Sequence, residues 1–477
     1  MPNSPSPCAL VWFREDLRLG DNPALSAAAK TGLPLLCVFI VEDAGEAVRP
    51  IGGAARWRLD RALAALEADL ARHGGRLHYL KGAAPELLPD LARAAGAAKV
   101  FFNRRYGAER EIDARVARRL AAEGVEAEGF NGALLVEPGQ IAPRPGGYFK
   151  VFTPFWRAMR ERSHTAHPTP APQNLRFADG PAGVARLSRE ALALTPSRPD
   201  WAENFPDPDA GEAGAQRRLR NFIAEKLDGY ETMRDRVDCD GASKLSAHLH
   251  FGEISPRQIV AALEGRPAEK FLIELCWREF SAHLLHARPD LPWANFNTRF
   301  DRFPYRSDPE GLEAWTRGRT GYPIVDAAMR QVWRTGFLAN RARMVAASFL
   351  TKHLLIDWRA GEAWFWDTLT DADAANNAVS WQWVAGCGPD AAPYFRIFNP
   401  VLQGEKFDPD GDFVKTHCPE LARLPARWIH RPWAAPSDVL KAAGVEIGGN
   451  WPAPIVAHEF ARRRALDAFG AIAASGA

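Results

Sequence analysis

The hydrophobic periodicity changes once along the chain, and this change divides it into two parts. Residues 8 to 130 alternate amphipathic segments with short apolar, β-prone runs, namely CALVWF (8–13), LPLLCVFI (33–40), RLHYL (76–80) and KVFFN (99–103). Strands that alternate with helices form parallel sheets with helices on both faces. From about residue 216 onward the periodicity is helical almost throughout. The sequence therefore predicts a Rossmann-like α/β domain at residues 1–135 and an all-α domain at 216–477.

Between these two parts the composition shifts toward Pro, Ala, Ser and Asp. The segments HPTPAPQ and NFPDPDAGEAG are typical of non-helical connections. We therefore predict an interdomain linker at residues 136–215. No G-x-G-x-x-G or Walker loop follows the first strand, so the usual dinucleotide-binding fingerprint is absent.

Composition and charge exclude several classes of protein. Of 477 residues, 47% are apolar and 25% charged, as in globular proteins, and the net charge of +2 indicates no strongly basic tail. Six scattered cysteines form no C-x-x-C pair, which argues against a metal cluster and a disulfide framework. No signal region and no apolar run of about eighteen residues occurs. We expect a soluble, cytoplasmic protein without a bound metal or a membrane partner.

One short segment, DADAANNAVSWQW (371–383), combines carboxylates, amides and indoles. With helical spacing, Asp373, Asn377 and Trp381 recur at i, i+4 and i+8 and share one face. The segment alone favours a simple interpretation, in which Asp373 caps a helix and Trp381 packs inward. The alternative is a site that needs an acid, an amide and an aromatic ring together.

Further polar sets occur in the helical half, each open to a structural or a functional interpretation. Glu274, Trp277 and Arg278 share a helix face, which fits a surface ion pair beside a packed indole or a pocket for a flat polar ring. The segment FLANRARM places Asn340 and Met344 at i, i+4 beside Arg343. The turn DGASKLS (240–246) carries hydroxyl and Lys side chains, which fits an ordinary helix start or a phosphate site.

Four long motifs in sequence order resemble the photolyase/cryptochrome flavoproteins. They are WFREDLRLGDNPAL (12–25), GASKLSAHLHFGEISPRQ (241–258), GRTGYPIVDAAMR (318–330) and WQWVAGCGPDAAPYFRIFNP (381–400). The resemblance covers residues 9 to about 420. It implies an N-terminal antenna domain, a long linker and an all-helical domain that holds FAD.

The resemblance also implies cofactor-binding residues. The predicted FAD-binding residues are Tyr230, Ser243, Lys244, Leu245, Ser246, Arg278, Asn340, Arg343, Asp371, Asp373 and Asn377. Arg343 is expected to pair with Asp371, and Asn377 is expected to face flavin N5. An amide there has no acidic proton to lose, whereas a protonated carboxylic acid does. Asn377 therefore favours repair, which needs a fully reduced flavin, over signalling.

The implied activity is blue-light-driven repair of cyclobutane pyrimidine dimers, a carbon–carbon lyase reaction on damaged double- or single-stranded DNA. The predicted substrate and DNA contacts are Arg234, Glu274, Trp277, Asn340, Arg341, Met344, Trp383 and Arg396. Asn340 and Met344 stand where enzymes that repair the 6-4 photoproduct carry histidines, so no acid–base catalyst is available there. The alternatives are a 6-4 photolyase and a cryptochrome-type photoreceptor, although the chain lacks a long polar C-terminal extension.

The family relays electrons to flavin through three tryptophans. Trp381 and Trp358 match the first two positions, whereas Tyr305 stands at the third. A tyrosine must lose its phenolic proton on oxidation, so the outer step is slower or passes through Trp315, Trp333 or another indole. Glu274 and Asn377 complete the predicted catalytic residues.

A second, antenna chromophore is expected near residues 103–113, NRRYGAEREID. Methenyltetrahydrofolate is favoured over 8-hydroxydeazaflavin, and an empty site is the third alternative. We expect a monomer, and the choice between the first class of dimer photolyases and the third, which is closer to plant cryptochromes, stays open.

Overall fold

The computed structural model describes residues 7–42, 45, 49–144, 146–162, 167–181, 186–391 and 395–474. The chain divides into two compact units. Unit 1 comprises Met1–Trp201, Asp207–Leu227 and Ser243–Pro289, and unit 2 comprises Ala202–Pro206, Asp228–Ala242 and Asp290–Ala477. The predicted domain boundaries at 135 and 215 remain predictions. Parts of the predicted linker (145, 163–166, 182–185) and of the motif at 381–400 (392–394) lie outside the described residues.

Unit 1 contains a parallel sheet, as the sequence predicts, and the sheet has five strands. Its strands are β1 (Cys8–Phe13), β2 (Leu35–Val41), β3 (Leu77–Lys81), β4 (Ala97–Asn103) and β5 (Glu126–Phe130). The strand order is β3-β2-β1-β4-β5, with Val11 opposite Cys37 on one side and Phe101 on the other. The sheet order therefore reverses between β1 and β4.

The fifth strand, EAEGF, was not predicted from the sequence. It is an edge strand whose residues are exposed or half-buried, and it carries two glutamates. Lys99 on β4 pairs with Glu126 at 2.8 Å and with Glu128 at 2.6 Å. An edge strand with a charged face lacks the apolar run that identifies the buried strands.

Helices cover both faces of the sheet, because successive side chains of each strand point in opposite directions. From β1, Ala9, Val11 and Phe13 pack with apolar residues of the helices at Pro23–Lys30 and Gly53–Arg72. Leu10 and Trp12 pack on the other face with residues of the helices at Ala84–Ala95 and Arg110–Ala122. The helices of unit 1 are α1 (Pro23–Lys30), α2 (Gly53–Arg72), α3 (Ala84–Ala95), α4 (Arg110–Ala122), α5 (Phe152–Arg162), α6 (Glu212–Glu225), α8 (Ser246–His250), α9 (Pro256–Ala262) and α10 (Glu269–Ala287), with a 3₁₀ turn at Glu190–Leu192.

Unit 2 is built from helices, as predicted for this part of the chain. They are α7 (Tyr230–Met233), α11 (Pro309–Thr316), α12 (Pro323–Thr335), α13 (Asn340–Ser348), α14 (Trp358–Thr368), α15 (Ala374–Ala385), α16 (Pro400–Phe407), α17 (Asp412–His417), α18 (Ala426–Ile429), α19 (Ser437–Ala443) and α20 (His458–Ala474). Short 3₁₀ turns lie at Thr298–Arg302, Pro419–Leu421 and Pro432–Ala434, and a π-helical turn at Phe349–His353 follows α13. Its core includes the buried indoles of Trp315, Trp358, Trp381 and Trp451. Within the described part of the chain, no helix has the length and apolarity needed to cross a membrane.

Candidate active site

Asp373, Asn377 and Trp381 belong to α15: Asp373 is its N-cap, and the other two residues lie within the helix. The Asp373 carboxylate accepts hydrogen bonds from the backbone N–H groups of Ala375 and Asn376, at 3.0 and 2.8 Å, and so caps the helix. Trp381 is 2% exposed and packs inward. The structure therefore confirms the simple interpretation of Asp373 and Trp381, which is compatible with a further role for both.

Asn377, between these two residues, is held by α14. Its Nδ2 donates to the backbone oxygen of Glu362 at 3.0 Å and to Glu362 Oε1 at 2.8 Å. Asn377 is 8% exposed and Glu362 is 2% exposed. Because both amide hydrogens point at Glu362, Asn377 Oδ1 is the atom left to accept a hydrogen bond from a donor such as a flavin N–H.

The predicted pairing of Arg343 with Asp371 is confirmed. Arg343 Nη2 lies 3.0 Å from Asp371 Oδ1 and 2.8 Å from Oδ2, and Arg343 Nε donates to the oxygen of Leu338 at 2.7 Å. Asp371 is buried and Arg343 is half-buried. This ion pair connects α13, which carries Arg343, with the segment that immediately precedes α15.

In unit 1, the turn Ser243–Ser246 has the backbone geometry of an anion site. Lys244 has a φ of +54°, in the left-handed region, and Leu245, with φ −86° and ψ −5°, is right-handed helical. Ser243 Oγ accepts from the N–H of Leu245 at 3.4 Å. Adjacent left- and right-handed residues direct successive N–H groups toward one point, which favours a phosphate or another anion.

Arg278 on α10 holds a backbone segment of its own unit. Its Nη1 donates to the oxygen of Ala133 at 3.0 Å and lies 3.2 Å from Glu279 Oε1. Glu279 is fully buried, and burial raises its pKa to about 7. In unit 2, Tyr230 is buried and the Arg234 guanidinium lies 5.8 Å from its ring centroid.

Glu274 and Trp277 lie on α10, both half-buried. Lys270 Nζ lies 3.7 Å from Glu274 Oε1, a local ion pair of the kind expected between i and i+4 residues on a helix. Trp277 stacks on Phe152 with centroids 3.8 Å apart and planes 4° from parallel. One face of the indole is therefore occupied by the protein itself.

The predicted substrate residues on α13 are at its first two turns. Asn340 is exposed and its Nδ2 lies 3.8 Å from Met344 Sδ. Arg341 Nη2 is 2.7 Å from Asp235 Oδ2, and its guanidinium lies 4.3 Å from the Phe407 centroid. Arg341 is thus partly neutralised, which weakens its predicted role as a contact to the DNA backbone.

Trp383 and Arg396 contact each other in unit 2. The Arg396 guanidinium is 5.5 Å from the Trp383 ring centroid, and Arg396 is exposed while Trp383 is half-buried. A cation over an indole at this distance is attracted by the ring quadrupole. The two residues therefore form one surface feature.

The aromatic residues of the predicted electron relay also lie in unit 2. Trp358 is fully buried at the start of α14, and its Nε1 donates to Asn295 Oδ1 at 2.9 Å. Trp381 meets Trp315 edge to face at 6.1 Å and Phe365 at 5.0 Å.

The three residues considered for the outer step differ in exposure. Tyr305 is half-buried, and burial raises the pKa of its phenol well above the usual value, which holds the proton that oxidation must release. Trp315 is fully buried and donates its Nε1 hydrogen to the oxygen of Ala346 at 2.9 Å. Trp333 is 51% exposed and stacks on Trp364 at 5.9 Å.

The segment at 103–113 contributes to an ionic network at the carboxyl end of the sheet. Arg105 Nη2 lies 2.6 Å from Asp113 Oδ1, and Arg105 also contacts Glu42. Arg14, which follows β1, lies 3.1 Å from the same Asp113 oxygen. These side chains bind one another at the point where the strand order reverses, the position at which parallel sheets commonly bind ligands.

Sequence reasoning did not identify several residues that hold the predicted ones. Glu362 orients Asn377, Asn295 accepts from Trp358, and Phe152 stacks on Trp277. Their partners are 15, 63 and 125 positions away in the chain, where no local spacing reveals a contact. By contrast, the cap formed by Asp373 involves neighbouring residues and could be predicted from local spacing.

Known families and proteins match most of the chain. Two family models match: DNA photolyase at residues 9–173, and the FAD binding domain of DNA photolyase at residues 271–471. A deoxyribodipyrimidine photo-lyase of Agrobacterium fabrum is 47% identical over 97% of this chain and 98% of its own length. Cryptochrome-1 of Arabidopsis thaliana is 36% identical over 97% of this chain and 70% of its own. The crystal structure of a class III photolyase from Agrobacterium tumefaciens superposes with a TM-score of 0.93 and 46% identity, covering 99% of both chains.

Proposed function

Because the chain belongs to the DNA photolyase family, we propose that it is a deoxyribodipyrimidine photo-lyase, which uses blue light to split cyclobutane pyrimidine dimers in damaged DNA. The observation that carries this proposal is the 47% identity with a photo-lyase, which extends over 97% of this chain. Reduced FAD, if bound, would supply light-driven one-electron chemistry, and the residues named below would hold the cofactor and the dimer.

The proposed flavin contacts in unit 2 fit the cofactor. Asn377 Oδ1 is left to accept from flavin N5–H, since Nδ2 is engaged by Glu362. An amide at this position accepts a hydrogen bond and has no proton of low pKa to transfer. Asp371, held by Arg343, and Asp373, held by its capping bonds, are proposed as carboxylates beside the ribose and the ring edge. Tyr230 and Asn340 complete this set.

The proposed contacts in unit 1 are those of an anion site. The turn Ser243–Ser246 offers backbone N–H groups and hydroxyls, and Lys244 adds a positive charge. This donor set fits the diphosphate of FAD. Arg278 is proposed to act through its electrostatic field, because its Nη1 is engaged by Ala133 and Glu279.

The dimer must leave the duplex to reach the flavin, and photolyases are among the enzymes known to extrude their target base. Glu274 is proposed to hydrogen-bond the thymine edge, and Trp277 and Trp383 to provide apolar surfaces for stacking. Neither Asn340 nor Met344 titrates near neutral pH, so acid–base chemistry of the kind needed by the 6-4 photoproduct has no carrier at these positions. A cyclobutane dimer needs only the electron.

Binding to the DNA backbone is assigned to arginine side chains. Arg396, exposed beside Trp383, and Arg234 are proposed to contact phosphates, with Arg341 in a lesser role because Asp235 pairs with it. Such contacts carry no sequence preference and weaken as salt rises. A single protein chain, acting as a monomer in the cytoplasm, is proposed to suffice.

A second chromophore is proposed in unit 1, with methenyltetrahydrofolate favoured over 8-hydroxydeazaflavin. Arg105 and Asp113 of segment 103–113 are engaged with each other, and with Arg14 and Glu42. Two arginines and two carboxylates balance in this network, so the preference for a folate rests on the family resemblance and not on local charge. Extraction of the purified protein with organic solvent, followed by mass measurement, identifies the chromophore.

The function is tested by illuminating the reduced, FAD-loaded protein with an oligonucleotide that contains one cyclobutane dimer. Thymine absorbance is expected to recover in blue light and not in the dark. A parallel oligonucleotide with a 6-4 photoproduct is expected to remain unrepaired. Absence of recovery from the dimer substrate, with FAD bound and reduced, would contradict the proposal and would favour the photoreceptor alternative.

Glu274→Ala tests the substrate contact within the same assay. We expect at least tenfold weaker binding of the dimer, and hence less repair at sub-saturating substrate, because a hydrogen bond to a charged group contributes about 1.5–3 kcal/mol. Glu264→Ala is the matched control, since Glu264 is exposed on the adjacent segment. Equal losses in both variants would argue against a contact between Glu274 and the dimer.

A further inference from the structure

The loop at 291–297 is fastened to α15 through Gln382, the residue between Trp381 and Trp383. Gln382 Nε2 donates to the oxygens of Leu291 and Ala294 at 2.8 and 3.0 Å, and its Oε1 accepts from the N–H of Phe296 at 2.7 Å. Gln382 is fully buried. The same helix therefore carries Trp381 and fixes the loop that contains Asn295.

Asn295 connects the indole of Trp358 to a carboxylate. Trp358 Nε1 donates to Asn295 Oδ1 at 2.9 Å, and Asn295 Nδ2 donates to Asp301 Oδ1 at 2.7 Å. Asn295 is 3% exposed, whereas Asp301 is exposed. Because the Asn295 amide N–H donates to a carboxylate, the amide is polarised, and its oxygen becomes a stronger hydrogen-bond acceptor.

Trp381 has a different environment. Its Nε1 is buried and, within the part of the chain that the structure describes, has no hydrogen-bond partner. Its ring lies against α14 one turn after Trp358, because a Cβ built on Gly361 would stand 2.1 Å from Trp381 Cη2. Trp358 thus begins the helix against which Trp381 lies, and among the described residues Asn295 accepts the N–H of Trp358 while the N–H of Trp381 has no acceptor.

We propose that Asn295, polarised by Asp301, is a positioning residue that stabilises the oxidised form of Trp358 and so directs electron transfer from Trp358 to Trp381 during photoreduction. The proposal rests on the proposed relay through these two tryptophans. An indole that loses an electron becomes a cation with a more acidic N–H, and an acceptor at 2.9 Å stabilises that cation more than the neutral ring.

Arg359 acts in the opposite direction and has to be included. Its guanidinium lies 4.7 Å from the Trp358 ring centroid, where a positive charge disfavours a cationic ring. Asp357 neutralises much of this effect, with oxygens 3.1 and 3.0 Å from Arg359 Nη1. Asn295 and Asp301 therefore stabilise oxidised Trp358 at the edge of its ring. Arg359 and Asp357 form a nearly neutral pair over the face of the same ring.

The electron balance of the step is simple. Trp381, oxidised by the light-excited cofactor, takes one electron from Trp358, which becomes the radical cation while Trp381 is restored. No bond to a heavy atom forms or breaks. The N–H proton stays on Trp358, because an amide oxygen is too weak a base to take it. The positive charge thus moves from an indole without an acceptor to an indole with one.

The test compares variants by transient absorption of the FAD-loaded protein. Asn295→Leu removes the acceptor and is expected to shift the equilibrium between the two oxidised tryptophans toward Trp381 by about tenfold or more, because the hydrogen bond stabilises the cationic indole more than the neutral one. The separated charge should then recombine faster. Asp301→Asn keeps an acceptor but removes the charge, so a smaller change in the same direction is expected.

The double variant Asn295→Asp/Asp301→Asn gives a signature that a purely structural role cannot produce. The introduced carboxylate can accept the Nε1 proton from oxidised Trp358, which leaves a neutral indole radical and a neutral acid. The visible band of the radical should move to the shorter wavelength of the neutral species. A second measurement needs no light. In NMR spectra of Asn295→Leu with ¹⁵N-labelled tryptophan, the indole N–H signal of Trp358 should shift relative to the unaltered protein.

The outcomes separate this inference from the relay on which it rests. If Trp358→Phe leaves the long-lived charge separation intact, the relay itself is wrong. If Trp358→Phe abolishes it while Asn295→Leu and Asp301→Asn behave as the unaltered protein, the relay stands and the role of Asn295 is refuted. FAD content and melting temperature are measured for each variant; should Asn295→Leu not fold, Asp301→Asn at its exposed position decides the question.

Discussion

The side-chain amide of Asn377 donates twice to Glu362, to its backbone oxygen at 3.0 Å and to its carboxylate at 2.8 Å. This contact joins α15 to α14 and fixes which atom of the amide is left for a ligand. It also places a buried carboxylate directly beside the residue proposed to face flavin N5. The chemistry of position 377 therefore depends on Glu362 as much as on its own side chain.

Asn377→Asp is expected to change the course of photoreduction. Two carboxylates in hydrogen-bond contact within a buried site share a proton, because both cannot remain charged. The variant therefore holds a proton that can be transferred, and the absorption spectra recorded during illumination should differ from those of the unaltered protein. Asn450→Asp is the control, since Asn450 is exposed and its Nδ2 donates to the backbone oxygen of Gly444. Identical spectra for all three proteins would argue against placing Asn377 at N5.

Asp371→Asn is expected to weaken FAD retention. The change removes the charge that Arg343 contacts at 3.0 and 2.8 Å and leaves a half-buried guanidinium poorly paired, at a cost of about 2 kcal/mol. FAD absorbance after exhaustive dialysis measures the loss. Glu420→Gln breaks the similar pair with Arg330, at 2.9 and 2.8 Å, as a control. A loss of FAD in both variants would indicate general destabilisation instead of a local role for Asp371.

Gly361→Ala is expected to displace Trp381. The added methyl group would stand 2.1 Å from Trp381 Cη2 and 2.6 Å from Leu350 Cδ2, so the indole of Trp381 and the Leu350 side chain must shift. Overpacking of this kind costs about 1–3 kcal/mol. Urea unfolding measures the cost, and the rate of photoreduction reports the displacement of the indole. Gly470→Ala, on α20 with no atom within 4 Å of the new Cβ, should be neutral or stabilising. Unchanged stability and photoreduction in Gly361→Ala would contradict the close packing.

His353 is expected to make unit 2 less stable in mild acid. Burial lowers its pKa to about 3, below the value of about 6.5 for an exposed histidine. Between these values the unfolded chain binds more protons than the folded one, so stability falls as the pH falls from about 6.5 toward about 3, by up to about 1.4 kcal/mol per pH unit.

His353→Phe removes this dependence and keeps a ring to stack on Phe349, where the centroids lie 4.8 Å apart. The free energy of unfolding should therefore fall less steeply with acid in the variant than in the unaltered protein. His167→Phe is the control, because His167 is exposed. If the free energies of unfolding of His353→Phe and of the unaltered protein fall in parallel between about pH 4 and about pH 6.5, the predicted role of His353 is wrong.

The fold was largely accessible from the sequence. Four of the strands lie within two residues of their predicted positions, because buried strands of a parallel sheet are continuous apolar runs. β5 was missed because its residues are polar and half-buried at the sheet edge. The helical character of unit 2 follows from the sustained helical periodicity after residue 216.

The site was accessible in part. Local spacing predicted the cap formed by Asp373 and the inward position of Trp381, and the family resemblance predicted the pair of Arg343 with Asp371. Neither could show that Arg341 is paired with Asp235, or that Trp277 has one face covered by Phe152. These contacts join residues more than a hundred positions apart.

The sequence by itself determined the alternation of strands and helices, the change to helical structure, and the types of side chain available for chemistry. Only the tertiary structure decided which atoms of those side chains are engaged: Asn377 by Glu362, the Trp358 indole by Asn295, and the loop of Asn295 by Gln382. The physical reason is that periodicity reports short-range geometry along one element. Hydrogen bonds between elements depend on how the whole chain packs.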